Sequence, residues 1–65
     1  MTDIEVFLNA ELQGAAPDIE DSCPEEDWRD AMMDYLRDRL WDQLKERDDE
    51  AVLKTVNKYY PERVW

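Results

Sequence analysis

The chain has 65 residues, with 18 Asp and Glu against 8 Lys and Arg and no His, for a formal charge of -10 and a pI near 4.1. A domain this short buries only about 60% of the surface its unfolded form exposes, so its stability margin is thin. The charge excludes electrostatic affinity for nucleic acid or an anionic membrane. The missing His removes the commonest general base and metal ligand, and the lone Cys23 excludes a disulfide framework or thiolate zinc cluster. No apolar run approaches about 18 residues, and Met1-Thr2-Asp3-Ile4-Glu5 carries no basic stretch, which predicts a soluble protein of the cytoplasm with no membrane contact.

Residues 1–27 hold nine acids and no Lys or Arg, so nearly the whole net charge sits in the first two fifths of the chain. Like charges this dense favour an extended chain unless apolar burial or an outside cation offsets the repulsion, and one reading of the segment is a solubilising tail. Thr2-Asp3-Ile4-Glu5 nevertheless has the form of a capping box. Ile4, Phe7, Leu8 and Leu12 then share a helical face until Gly14 offers a stop. Residues 4–12 also alternate as a strand would, but Phe7 fits only the helical face. Residues 14–22 read as a connector anchored by Ile19.

Ser22-Cys23-Pro24-Glu25-Glu26 is a helix start, with Pro where its missing N–H costs nothing and acids favoured by the helix dipole. The helix is expected from Pro24 to Arg47. A third, capped by Asp48-Asp49, runs from Glu50 to Tyr60 with Val52, Leu53, Val56, Tyr59 and Tyr60 on its apolar face, and Pro61 ends it. The tail Glu62-Arg63-Val64-Trp65 ends on a carboxylate beside an indole. The fold class is therefore all-α: a single small bundle of two or three helices with one long central helix, divided as 1–22, 23–47 and 48–65.

At about 100° per residue, Trp28, Met32, Tyr35, Leu36, Leu40 and Leu44, with Met33 at the edge, form the core face of the central helix. Asp27, Asp30, Asp34, Asp38 and Asp42 line its outer face, about 6 Å apart in the regular part. Asp is a middling to poor helix former and like charges at i,i+4 destabilise, so Glu suits a merely solvated face better. Arg37 three residues after Asp34, and Lys45 three after Asp42, offer pairs that support the alternative of an ordinary salt-bridged surface. Trp41 falls inside the acidic row, where an exposed indole reads as an interface anchor unless another helix covers it.

Catalytic and metal motifs fail. An EF-hand beginning at Asp18 has Cys23 where Gly is required and Arg29 where Glu is required. Glu25, Glu26 and Asp27 offer only weak, nonspecific cation binding. Cys23 has no His to act as base, and Gly14 alone makes no phosphate loop. Neither a catalytic residue nor a metal or cofactor site is assigned, and the protein is expected not to be an enzyme.

In size and charge, and in its Asp27, Asp30, Asp34, Asp38, Asp42 row, the chain resembles small phage-encoded anti-defence proteins, including anti-CRISPR and DNA-mimic inhibitors. The resemblance implies an inhibitor acting in the host cytoplasm that offers carboxylates to a basic groove of a nucleic-acid-binding protein. Its partner-facing residues are expected to be those five aspartates with Trp41, Glu25 and Glu26. A duplex carries about one charge per 1.7 Å and a single aspartate row one per about 6 Å, so the acidic N-terminal segment has to contribute. The alternative is a small helical adaptor or assembly module, homodimeric through the apolar arc of the central helix, which its three Trp, three Tyr and three Met suggest.

Overall fold

Three helices pack against one another in a computed structural model that describes residues 3–61: α1 over Asp3–Ser22, α2 over Trp28–Leu44 and α3 over Asp49–Tyr59. A 3-10 turn, Glu25–Asp27, leads into α2, and among the described residues there is no strand. Every helix pair is in contact, the α1–α2 packing being the most extensive. Twenty residues of α-helix rise about 30 Å, so α1 spans the long dimension of a molecule measuring 33 × 25 × 15 Å. The Thr2 cap and the Glu62–Trp65 tail lie outside the described residues.

Contrary to expectation, α1 neither stops at Gly14 nor gives way to a connector over 14–22. It runs through both Gly14 and Pro17. Pro17 cannot donate to the carbonyl of Gln13, a loss of the order of 3 kcal/mol inside a helix, but both residues are exposed and water reaches the carbonyl. The compensation is burial: Leu8, Leu12, Ala15 and Ala16 are all in the core, and Ile4, Phe7 and Ile19 pack against it. The acidic segment is thus one wall of the bundle and not a solubilising tail.

The turn into α2 differs from a direct start at Pro24. Pro24 is extended, Asp27 N–H donates to the Pro24 carbonyl at 2.9 Å, and the Trp28 indole Nε1 donates to the Cys23 carbonyl at 2.9 Å. Asp27 is the residue before α2 and makes no side-chain cap. At the other end α2 stops at Leu44 and not at Arg47. Lys45 adopts the left-handed conformation, φ 55, while its N–H still reaches the Trp41 carbonyl at 3.0 Å. The chain then turns back through residues 45–48, and the Asp48 carboxylate caps α3 by accepting from Ala51 N–H at 3.0 Å.

Met32, Leu36 and Leu40 are fully buried, as the apolar arc predicts, together with Val52 and Val56 of α3. Leu44, Leu53 and Tyr59 depart from expectation and stand exposed, while the small Ala51 and Thr55 are buried in their place. Leu44 lies on the last turn, where no opposing helix covers it. Thr55 is accommodated because its hydroxyl donates to the Ala51 carbonyl one turn back, at 2.9 Å. Met32, Leu36 and Leu40 of the arc read as a dimer seam are covered by the same chain's own helices, whereas Leu44 is left exposed.

Candidate functional site

The α2 aspartates stand on the solvent side of the bundle because the opposite side of that helix is filled by Met32, Leu36 and Leu40. Asp27, Asp30, Asp34, Asp38 and Asp42 are all exposed. The structure divides them. Asp34 accepts an ion pair from Arg37 at 3.6 Å, and Arg37 also reaches Asp49 of α3 at 3.4 Å. Asp42 is paired with Arg39 at 3.9 Å, and Arg39 also holds Glu11 of α1. Among the described residues no cation pairs with Asp27, Asp30 or Asp38. The expected pair between Asp42 and Lys45 does not form, since the left-handed turn at Lys45 swings its ammonium over the Trp41 ring, 6.0 Å from the centroid.

Arg37 and Arg39 therefore tie α2 to its two neighbours, each also holding one aspartate of the row. The α1 side of this arrangement is partly buried. Glu11 accepts from the Tyr35 hydroxyl at 3.2 Å and from Arg39 Nε at 3.3 Å and Nη2 at 3.5 Å. Burial raises the Tyr35 pKa first, with the Glu11 hydrogen bond and charge adding to it and the Arg39 charge opposing it. The Glu11 hydrogen bond is the largest influence raising that of Arg39. The Glu11 contacts place one α1 carboxylate against α2.

Trp41 is not covered by α1 or α3; it is 48% exposed. The guanidinium of Arg47 lies over its ring, 5.1 Å from the centroid. Trp41, Asp34 and Asp38 share a groove of about 550 Å³ with Arg37, Leu40, Glu46, Arg47, Asp48, Asp49 and Val52. Of these, Asp48, Asp49 and Arg47 belong to the α2–α3 link or to α3, and sequence reasoning assigned them no place in the site. Only the reversal of the chain at Lys45 brings them beside Trp41.

Glu25 and Glu26 do not join this face. They line a second cleft, about 610 Å³, at the opposite end of α2, with Trp28, Arg29, Tyr59, Tyr60 and Pro61. The Trp28 and Tyr60 rings pack 5.9 Å apart, and Tyr59 meets Tyr60 edge-on at 4.8 Å. Arg29 Nε donates to the Tyr60 carbonyl at 3.0 Å and its Nη2 to Asn57 Oδ1. The Tyr60 hydroxyl donates to Glu20 of α1 at 3.1 Å, and burial followed by that carboxylate pushes its pKa up to about 12.

Among the described residues no three His, Cys, Asp or Glu side chains converge as a metal site, and no helix is long and apolar enough to cross a membrane. No family model, curated protein or solved structure matches the chain.

Proposed function

We propose that the protein is an acidic protein-binding inhibitor that presents carboxylates to a basic groove of a partner, of the kind that holds nucleic acid, and blocks it. The observation that carries this reading is the solvent side of α2. Asp27, Asp30 and Asp38 stand exposed there with no cation among the described residues, and the half-exposed Trp41 is set among them. Asp30, Asp34, Asp38 and Asp42 follow one another at intervals of four, where like charges cost about 0.2–0.5 kcal/mol per pair, and arginines relieve only Asp34 and Asp42; a surface kept only for solubility gains nothing from that spacing. The α2 row alone is sparser than nucleic-acid phosphates, and on this reading the exposed α1 acids Asp3, Asp18 and Asp21 have to contribute.

The test is affinity capture from a bacterial lysate at graded ionic strength, with and without nuclease. The expected result is a basic protein retained after nuclease treatment, released by salt and lost when Asp30, Asp34, Asp38 and Asp42 are all replaced by Asn. Retention of the same protein by the fourfold variant at every ionic strength overturns the proposal.

A further inference from the structure

We propose that the groove between the C-terminal half of α2 and the start of α3 is a docking site for an arginine side chain of a basic partner protein. The guanidinium stacks on the Trp41 indole in the place that Arg47 occupies in the free chain. The inference rests on the reading of the protein as a ligand for a basic surface, and it specifies how that surface is recognised.

Trp41 is nearly half exposed, and the cations found over its ring belong to the same chain: the Arg47 guanidinium at 5.1 Å and the Lys45 ammonium at 6.0 Å from the ring centroid. Both are within cation–π range, and the ring is therefore shaped and placed to hold a guanidinium. Among the described residues Arg47 pairs with no carboxylate, and it lies in the exposed link that follows α2. A contact held by one exposed stacking interaction exchanges readily for an equivalent one from outside.

The rest of the groove favours an incoming arginine over the resident one. Asp38 stands one helical turn before Trp41, so the two side chains are neighbours on one face, and among the described residues no cation pairs with that carboxylate. A guanidinium stacked on Trp41 with an N–H directed to Asp38 combines both contacts. Asp34 and Asp49 already share Arg37, and Asp48 already accepts from Ala51, which leaves Asp38 and Glu46 as the carboxylates open to an incoming donor, Asp38 being the one a helical turn from Trp41. Five carboxylates against two guanidiniums line the groove, and its volume of about 550 Å³ admits a long side chain from outside. A planar fork that stacks and donates in pairs suits this arrangement, whereas a lysine ammonium is a strongly hydrated point charge.

The experiment is a titration of the full chain with octa-arginine and, separately, octa-lysine at low salt, following the Trp41 indole N–H by nuclear magnetic resonance. Octa-arginine is expected to bind at least about threefold more tightly than octa-lysine. Trp41→Ala is expected to remove that preference and Asp38→Asn to weaken octa-arginine binding. Arg47→Ala is expected to tighten octa-arginine by about twofold as the internal competitor is removed. Trp41 is not a core residue, so its replacement leaves the bundle folded, which a helical melt verifies. Equal affinities for the two peptides, or a preference that survives Trp41→Ala, overturn the docking site. If the fourfold Asn variant at the same time loses both peptides, the acidic-face reading stands without the groove. If neither peptide binds at all, both readings fall.

Discussion

Arg39 on α2 and Glu11 on α1 form the paired contact that joins the two longest helices, with Nε 3.3 Å from Oε2 and the Tyr35 hydroxyl on the same carboxylate oxygen at 3.2 Å. Glu11 thus belongs structurally to the bundle, although by charge it is one of nine acids in a segment without a base. Its side chain is only 23% exposed, so its hydrogen bonds are less screened than those at the surface.

Glu11→Ala leaves the Tyr35 hydroxyl and the Arg39 guanidinium without their acceptor. The melting temperature should fall by roughly 4–8 °C, the scale set by about 1 kcal/mol in a domain this small. Lys54→Ala is the contrast, because the Lys54–Glu50 pair is 70% and 79% exposed. It should change stability by less than about 0.5 kcal/mol. Equal melting temperatures for the two variants would show that the Glu11 contact contributes no more than a surface pair.

Gly14 sits inside α1 with a negative φ, and a Cβ built there meets nothing within 4 Å. Replacing it by Ala removes backbone freedom from the unfolded chain without creating a clash. Gly14→Ala is therefore expected to raise stability by about 0.5–1 kcal/mol, measured by urea unfolding with an unchanged slope. A loss of stability would mean that α1 bends at this point in solution.

Deleting residues 1–21 should unfold the remainder. The segment supplies Leu8, Leu12, Ala15 and Ala16 to the core, and each leucine contributes about 1.5–3 kcal/mol by burial against a total stability of roughly 5–15 kcal/mol. Circular dichroism of the truncated chain is expected to show loss of cooperative melting. A cooperative helical melt in residues 22–65 would show that α2 and α3 suffice.

Stability should decline at alkaline pH through the tyrosines. The Tyr60 pKa is held at about 12 in the folded chain against an ordinary value of 10.0, and that of Tyr35 is also raised. A raised pKa means that the folded state keeps a proton which the unfolded state gives up. The contribution is complete below pH 10.0 and is lost progressively as pH rises toward about 12. Tyr60→Phe removes the ionisable hydroxyl, so denaturation midpoints recorded across this interval should fall less steeply in the variant. Parallel curves would assign the alkaline loss to other groups.

The local pattern alone determined much of α2 and α3. Apolar residues at Met32, Leu36, Leu40, Val52 and Val56 recur with the helical period and are buried, and the interval of four between aspartates puts them on the opposite side. These are consequences of 3.6 residues per turn, so they need no knowledge of a neighbour. The chain reversal is different. Gly14 looks like a stop and residues 14–22 like a connector because helix propensity is a local quantity of about 1–3 kcal/mol per residue, and it was overridden by packing Ala15, Ala16 and Ile19 into the core shared with α2 and α3. The end of α2 was equally hidden, since it falls at a Lys forced into the left-handed region rather than at Gly. Arg39 selects Glu11 across 28 residues of sequence, and Trp41 meets Asp48, Asp49 and Arg47 only after the chain turns at Lys45. Such contacts depend on which helix faces reach each other in space, and no spacing along the chain encodes that distance.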